Sequence, residues 1–333
     1  MTSSNSEPRA LSEFALIAKL FAPLAAKNEG AFGLTDDAAT LRLPPGEELV
    51  VTVDTLVEGV HFLHDDPPEL VAKKALRVNL SDLAAKGAHA SHYLLALSLP
   101  EWVGDAWLTD FAAGLAEDQR RYGVTLLGGD TTATPGPLTL SITALGSIPK
   151  GRMLRRAGAK PGDLVFVSGT IGDAGAGLEM LQAKTSGLPA VAREYLIQRY
   201  RLPEPRLALG RALVGIASAA LDVSDGLIAD LGHIAEVSGV RIVIDAPLVP
   251  LSAELASLWG RGTQGLLRAA TAGDDYELAF TAVPAARVAV ADAARASGVA
   301  VNEIGRVEAG AGVELTDEAG RAIAVARPGF THF

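Results

Sequence analysis

Short apolar segments with the character of β-strands alternate along this chain with longer segments in which apolar residues recur at helical spacing. Residues 48–55 form a β-branched run that predicts a buried strand, and residues 105–122 have the periodicity of an amphipathic helix. The alternation continues in the second half, where residues 164–168 and 241–245 are predicted strands. This pattern indicates an α/β fold (α+β mixed), in which helices pack on sheets.

The chain divides into two predicted domains. Its 333 residues exceed what one compact core usually supports. Residues 149–163, PKGRMLRRAGAKPGD, form a basic and glycine-rich stretch between two predicted strands, which is typical of a crossing between domains. We therefore expect an N-terminal domain over residues 1–149 and a C-terminal α/β domain over residues 150–333.

Composition excludes several classes of function. The 39 acidic and 29 basic side chains leave a formal net charge of −10, the wrong sign for a protein that binds a nucleic-acid backbone. No cysteine is present, which excludes disulfide frameworks and thiol nucleophiles and favours a reducing compartment. The apolar segments are too short or too interrupted to cross a bilayer. We expect a cytoplasmic protein with no nucleic-acid partner and no membrane partner.

The common phosphate and zinc motifs do not match. Residues 168–177, SGTIGDAGAG, follow a predicted strand and open a helix, but they depart from the dinucleotide-binding pattern. A tight strand-to-helix turn is the favoured interpretation, although its amides could face an anion. The pairs His61/His64 and His89/His92 lack the glutamate of a zinc-hydrolase motif, and we interpret them as surface or capping residues.

Aspartates recur where predicted strands or apolar runs end, each beside Gly, Ser, Thr or another Asp. They are Asp36, Asp37, Asp54, Asp82, Asp130, Asp222, Asp225, Asp274 and Asp275. Each one alone is typical of a turn or a helix cap. Carboxylates that converge from several elements repel one another unless a hard cation such as Mg²⁺ neutralises them. Turn residues and a polyaspartate magnesium site therefore remain the two interpretations.

Seven motifs occur in an order that resembles a known family. They are GLTDDAA, TVDTLVEGVHF, KALRVNLSDLAAKGA, LLGGDTT, GRMLRRAGAKPGD, LDVSDGLIADLGHIA and AGDDYELAF. Together they resemble the thiamine-monophosphate kinases, a family in the superfamily of aminoimidazole ribonucleotide synthetase and selenophosphate synthetase. The resemblance extends from about Ser12 to Phe333.

This resemblance implies a two-domain α/β homodimer that pairs through its N-terminal sheets. The N-terminal domain would bind ATP and metal and form the dimer, and the C-terminal domain would complete the nucleotide and substrate site. The implied reaction is transfer of a phosphoryl group from ATP to thiamine monophosphate, which gives thiamine diphosphate, with several Mg²⁺ ions as cofactors.

The resemblance also implies roles for individual residues. The positions that match metal ligands are Asp37, Thr52, Val53, Asp54, Asp82, Asp130, Asp222 and Asp225. Those that match nucleotide contacts are Gly129, Asp130, Arg156 and Ser224, and those that match thiamine contacts are His61, Asp274 and Phe330. Val53 has no hydroxyl, so coordination there would use its carbonyl oxygen. Asp274 is one methylene shorter than the glutamate that is usual in the family.

The implied chemistry agrees with the residue inventory. The second pKa of a phosphate monoester is about 6, so the attacking oxygen is already an anion at neutral pH and no general base is required. The obstacle is contact between two polyanions, which Mg²⁺ and Arg156 would relieve. Two alternatives remain. The first is an enzyme with a different phosphoryl acceptor, namely formylglycinamidine, a carbamoyl group or selenide. Selenide is disfavoured by the absence of cysteine. The second alternative is a regulatory module that binds Mg·ATP.

Overall fold

The computed structural model describes residues 11–183 and 187–331. The predictions that concern residues 1–10 and Phe333 lie outside this range. The chain divides into two compact units, one ending at Lys150 and the other following it, except that Ala84–Ala88 belong to the second unit. The mixed α/β class is confirmed in both.

The first unit is a sheet with helices and an irregular helical opening. Its opening consists of α1 (Glu13–Leu16), a π-helical turn (Ile17–Phe21), α2 (Ala22–Ala25) and a 3₁₀ segment (Glu29–Leu34). The elements that follow are β1 (Glu47–Val57), α3 (Pro68–Ala85), β2 (His89–Leu99), α4 (Asp105–Tyr122), β3 (Thr125–Ala133) and β4 (Thr139–Pro149).

Within the described residues, the first unit's strands form one sheet in the order β1-β4-β2-β3. Strand β4 is antiparallel to both β1 and β2, whereas β2 and β3 are parallel and α4 makes the crossover between them. Side chains of β1 alternate, so Val50 and Leu56 are buried while Leu49, Val51 and Val53 are exposed on the other face. One sheet face is therefore covered, and the other presents apolar side chains.

A buried ion pair joins the two long helices of this unit. Arg77 on α3 donates two hydrogen bonds to Asp118 on α4, from Nε to Oδ2 at 2.6 Å and from Nη2 to Oδ1 at 2.9 Å. Both side chains are almost completely buried. Such a bidentate pair restricts rotation of α3, the helix that carries Asn79 and Asp82.

The second unit alternates helices with the strands of a larger sheet. Its helices are α5 (Asp173–Ala183), α6 (Ala190–Arg201), α7 (Leu207–Ala212), α8 (Leu227–Ser238), α9 (Ala253–Trp259), α10 (Thr263–Thr271) and α11 (Arg287–Ser297). Its strands are β5 (Leu164–Ser168), β6 (Ala219–Asp222), β7 (Arg241–Asp245), β8 (Leu278–Ala282), β9 (Val301–Glu308), β10 (Gly312–Thr316) and β11 (Ala322–Ile323).

This sheet has helices on both faces. In the described part of the chain its strand order is β11-β10-β7-β9-β5-β8-β6. Successive residues of β5 enter different cores, since Val165 and Val167 pack with α5 and α8 while Leu164 and Phe166 pack with α7 and α11. Every residue of β5 and β8 is buried. Among residues 11–183 and 187–331, no helix is both long enough and apolar enough to cross a bilayer.

Three aspartates predicted at the ends of strands or apolar runs lie inside elements instead, so that part of the prediction was wrong. Asp54 is within β1, Asp130 is within β3 and Asp82 is within α3. The strand predicted at residues 124–127 continues to Ala133, because pairing with β2 extends through Gly128 and Gly129. Glycine weakens an isolated strand, but here the neighbouring backbone supplies the hydrogen bonds.

Candidate active site

Three residues predicted as metal ligands meet where β1 faces α3. The hydroxyl of Thr52 donates a hydrogen bond to the carboxylate of Asp82, and the backbone N–H of Asp54 donates to Asn79 Oδ1 at 3.0 Å. Asn79 is completely buried and donates from Nδ2 to the carbonyl of Ala75 at 2.9 Å. The structure therefore brings Thr52, Asp54 and Asp82 together on one sheet face.

Two other predicted ligands, Asp37 and Asp130, line a cavity of about 560 Å³ in the same unit. Both carboxylates are exposed, and neither accepts a hydrogen bond from any described residue. No lysine or arginine is among the described residues that line this cavity. Uncompensated carboxylate oxygens on a cavity wall suit a hard divalent cation, so the donor set fits Mg²⁺.

A β-bulge sets the direction in which Asp130 points. The register between β2 and β3 shifts after Tyr93, so that Leu94 pairs with Gly128 and an extra residue lies in β3. A bulge redirects the side chains that follow it. Gly129 is required there, since a Cβ would lie 1.9 Å from the carbonyl oxygen of Leu95.

The residues around Asp54 and those around Asp130 form two separate acidic groups in the first unit. Asp54 is on β1 and Asp130 on β3, which form opposite edges of the sheet. With two strands between them, the separation across the sheet is roughly 14 Å. Asp130 is also in the row of Thr55 rather than of Asp54, through the pairs Thr55–Ser141, Ser141–Ala96 and Ala96–Asp130. Val53 points away from Asp82, and 58% of its surface is exposed.

His61, a predicted thiamine contact, has a defined tautomer. The backbone N–H of Val57 donates to His61 Nδ1 at 3.0 Å. Because a backbone amide can only donate, Nδ1 is the acceptor and the ring proton of the neutral imidazole is on Nε2. The buried Lys74 ammonium donates to the His61 carbonyl at 2.9 Å. The ring is therefore oriented to act as an Nε2–H donor.

In the second unit, the predicted ligand Asp222 ends β6, and the predicted ligand Asp225 lies in the turn between β6 and α8. Asp230, on the first turns of α8, accepts hydrogen bonds from the backbone N–H groups of Ser224, Asp225 and Gly226 at 3.0, 3.0 and 3.1 Å. Burial, reinforced by the charges of Asp222 and Asp225, raises the pKa of Asp230 to about 7. Asp230 was not singled out in the sequence.

One group of donors in the described chain has a spacing that could hold a metal. Ligand atoms of Asp225, Asp230 and His233 lie within 4.8 Å of one another. Within either unit, no three of the aspartates predicted as ligands reach that spacing among the described residues. Of the predicted ligands, Asp225 therefore lies beside two further metal-ligating side chains, Asp230 and His233 of α8.

The predicted thiamine contacts of the second unit are bonded to this turn through the backbone. The N–H of Asp274 donates to the carbonyl of Ser224 at 2.8 Å, and the N–H of Phe330 donates to the carbonyl of Asp225 at 2.9 Å. Asp274 has a φ of 67°, which is uncommon for a residue other than glycine. Phe330 exposes 45% of its surface.

The predicted nucleotide contact Arg156 lies in the basic stretch before β5. It is exposed, and its guanidinium makes no ion pair or hydrogen bond with any described residue. The hydroxyl of Ser238 donates to its carbonyl at 3.4 Å. Its charge is therefore available to an anionic ligand.

Two buried acids follow Asp274 in the chain. Asp275 belongs to the aspartate series that was interpreted as turn residues or magnesium ligands, whereas Glu277 was not singled out in the sequence. Asp275 accepts hydrogen bonds from the N–H groups of Gly172 and Ala174 at the start of α5, and burial raises its pKa well above the usual range. Glu277 is completely buried, which penalises its charge, yet its pKa is lowered because Arg206, Arg199 and Ser168 all donate to it. Three acids directly before the apolar strand β8 were the available signal.

Family models match both halves of the chain. Residues 35–148 match the model described as AIR synthase related protein, N-terminal domain. Residues 160–318 match the model described as AIR synthase related protein, C-terminal domain. The fold and its acidic sites therefore define a two-domain protein of the AIR-synthase-related class.

Individual relatives narrow this class. The chain is 44% identical over 324 residues to the thiamine-monophosphate kinase of Caulobacter vibrioides, covering 96% of this chain and 90% of the relative. The crystal structure of thiamine-monophosphate kinase from Stenotrophomonas maltophilia superposes with a TM-score of 0.83 at 42% identity, covering 94% of this chain and 98% of that one. A structure described as AaThiL complexed with AMPPCP and TMP gives a TM-score of 0.77 at 33% identity, covering 92% and 98%. The chain belongs to the thiamine-monophosphate kinase family, as the sequence motifs predicted.

Proposed function

We propose that this protein transfers the γ-phosphoryl group of ATP to thiamine monophosphate, forming ADP and thiamine diphosphate. The relatives named above carry this activity in their names, and the similar structure with AMPPCP and TMP holds an ATP analogue together with a second ligand. The observation in this chain that carries the proposal is the cavity on which Asp37 and Asp130 present carboxylates with no hydrogen-bond partner among the described residues.

The cavity combines the surfaces that a nucleotide needs. Ile17, Phe21 and Leu94 supply apolar wall, and Gly129 and Asp130 lie at a polar part of the lining. Its volume of about 560 Å³ is within the range of small-molecule sites. We assign Gly129 and Asp130, together with Arg156 and Ser224, to the nucleotide.

The acids of both units would hold Mg²⁺. The proposed ligands are Asp37, Thr52, Val53 through its carbonyl, Asp54, Asp82, Asp130, Asp222 and Asp225. When bound, Mg²⁺ neutralises phosphate oxygens and favours their in-line arrangement. Because the acids occur as separate groups within the first unit, several ions are expected rather than one.

No residue of the chain needs to act as a general base toward the phosphate of thiamine monophosphate. Thiamine monophosphate reaches the site with an anionic phosphate, since its second pKa is about 6. His61 donates from Nε2, a role that suits a phosphate oxygen and excludes Nδ1 as a base while the Val57 bond is formed. Arg156 supplies a permanent charge to the phosphates. Asp274 and Phe330 supply a carboxylate and an aromatic face, the groups that suit a thiazolium cation.

The first unit also provides a surface for the proposed homodimer. Leu49, Val51 and Val53 of β1 expose 42, 53 and 58% of their surfaces on one sheet face. A contiguous apolar face of this kind marks an interaction site. We assign the dimer contact and the binding of ATP and metal to residues 1–149. We assign completion of the nucleotide and substrate site, including the further ligands Asp222 and Asp225, to residues 150–333. A cytoplasmic location stays a prediction from the cysteine-free sequence.

Turnover tests this proposal. Purified protein with Mg²⁺, ATP and thiamine monophosphate is expected to form thiamine diphosphate, measured by separation of the products. Asp130→Asn should lower kcat on the order of 10²-fold, as loss of a group that organises transition-state charge typically does. Asp110→Asn, an exposed change on α4, is the control. Binding of ATP without any product would instead favour a regulatory module.

A further inference from the structure

The turn between β6 and α8 is the point to which several proposed ligand contacts are bonded. We call residues 223–226 the 223–226 turn. The carbonyl of Val223 accepts from the N–H of Tyr276 at 2.7 Å, that of Ser224 from Asp274 at 2.8 Å, and that of Asp225 from Phe330 at 2.9 Å. Three successive carbonyls thus hold the two segments that carry the proposed thiamine contacts.

The amide side of the same turn is held by one carboxylate. Asp230 Oδ2 accepts from the N–H groups of Ser224, Asp225 and Gly226, and only 2% of the residue's surface is exposed. Successive amides that converge in this way form an anion-binding concavity. In this chain the anion site is occupied by the protein's own side chain, so these amides are not available to a phosphate.

Glycines permit the close approach of the neighbouring segments. A Cβ at Gly273 would lie 2.6 Å from the carbonyl oxygen of Ser224, and a Cβ at Gly329 would lie 2.3 Å from that of Asp225. Gly226 has a φ of 124°, a conformation that other residues rarely adopt. The turn therefore accepts little change in geometry without disturbing both segments.

We infer that Asp230 is a positioning residue that couples the two substrate sites, because it sets the geometry of the 223–226 turn. This turn carries the proposed metal ligand Asp225 and the proposed nucleotide contact Ser224, and its carbonyls hold the segments that carry the proposed thiamine contacts Asp274 and Phe330. This inference rests on the proposed function for the identity of the ligands. The backbone N–H and carbonyl of Ser224 are both engaged, whereas its hydroxyl has no partner among the described residues. The hydroxyl is therefore the group of Ser224 that contacts the nucleotide.

A matched control separates positioning from general stability. Asp163 is another buried acid of this unit that accepts from a backbone amide, of Lys160 at 3.0 Å, and from the Ser218 hydroxyl at 2.7 Å. Ser218 directly precedes β6, whereas the 223–226 turn follows that strand. Loss of Asp163 should therefore destabilise the unit without moving the turn.

The first experiment measures kinetics for Asp230→Ala, Asp230→Asn and Asp163→Ala below their unfolding temperatures. Asp230→Ala should raise the KM for Mg·ATP and the KM for thiamine monophosphate each about tenfold or more. Asp230→Asn keeps an acceptor oxygen and should fall between Asp230→Ala and the wild type. Asp163→Ala should lower the Tm but leave both KM values near those of the wild type. Unchanged KM values in Asp230→Ala, or a rise for one substrate alone, would overturn the inference; if Asp230→Ala does not fold, the same criterion applies to Asp230→Asn.

The second experiment does not depend on turnover. Amide hydrogen exchange should become faster in residues 223–226, 273–276 and 327–330 together when Asp230 is replaced by Asn or Ala, and it should not do so in Asp163→Ala. Faster exchange confined to α8 would contradict the coupling. A wild-type protein that forms no thiamine diphosphate would refute the proposed function, while the exchange pattern would still decide the role of Asp230.

Discussion

The carboxylate of Asp275 accepts a hydrogen bond of 2.7 Å from the N–H of Gly172, so a buried acid of this chain closes the N-terminus of α5. The glycine-rich segment before α5 resembles a phosphate-binding loop in composition, but the group that its amides contact belongs to the protein. That group is the carboxyl of Asp275, which also accepts from the N–H of Ala174. Phosphate is therefore not expected at this helix.

Replacement of Asp275 by alanine should destabilise the second unit. Two buried amides would lose their acceptor, which costs about 1–3 kcal/mol in the free energy of unfolding. Urea unfolding at neutral pH measures this change. Asp292→Ala, an exposed change on α11, should have little effect. Equal stability of the two variants would show that Asp275 is not the acceptor.

Glu277 provides a prediction about pH. Its pKa is lowered in the folded state, since its donors outweigh burial, so its contribution to stability is present above the unfolded value of about 4.3 and is lost as pH falls through the lower folded value. At neutral pH, Glu277→Gln should cost roughly 3–5 kcal/mol, because Arg199 and Arg206 would lose their buried counter-charge. Chemical unfolding at a series of pH values should show the difference between wild type and variant shrinking below about pH 4.3. A difference that is constant from pH 7 to pH 3 would contradict the ion pair.

The tautomer of His61 predicts an order of activities. Glutamine places an amide N–H near the position of Nε2, whereas asparagine places an oxygen near Nδ1, the atom bonded to Val57. His61→Gln should therefore retain more activity than His61→Asn, by up to about tenfold in kcat/KM for thiamine monophosphate, the value of one hydrogen bond. His64→Gln, an exposed neighbour, is the control. Higher activity of the asparagine variant would assign the contact to the other nitrogen.

The exposed face of β1 predicts the effect of a charge on association. Val51→Glu would place a carboxylate at the centre of the apolar stripe formed with Leu49 and Val53. Burial of that charge in an interface is unfavourable, so sedimentation velocity should show the wild type as a dimer and the variant shifted toward monomer. Val288→Glu on α11, where 73% of the valine is exposed, should sediment like the wild type. A monomeric wild type would contradict the proposed dimer.

The α/β class and membership of the family could both be predicted from the sequence, because both depend on local patterns of residues. β5 and β7 are short, continuous apolar runs rich in β-branched residues, and these strands have the predicted limits. The position of Asp130 could not be predicted, since it depends on the residue at which the register between β2 and β3 shifts, and LLGGDTT does not specify that residue. Asp54 and Asp82 lie inside elements because pairing and helix contacts continue past residues that resemble turn formers.

The structural roles of the acids that organise the second unit were not predicted, for a related reason. Asp230 is separated from the residues it holds by one turn of α8, and Asp275 closes a helix that lies about a hundred residues earlier in the chain. Their roles depend on burial and on backbone amides, neither of which is visible in residue types alone. A sequence indicates which residues have suitable chemistry, whereas the fold determines which of them bind a ligand and which hold another part of the chain.

A crystal structure with Mn²⁺ in place of Mg²⁺, a non-hydrolysable ATP analogue and thiamine monophosphate tests the central claim most directly. Anomalous difference density should mark cations bound by carboxylates of the acidic cavity, Asp37 and Asp130, and by Asp225, with phosphate oxygens of both ligands as further donors. Anomalous density absent from all three carboxylates, with both ligands bound elsewhere, would contradict the account.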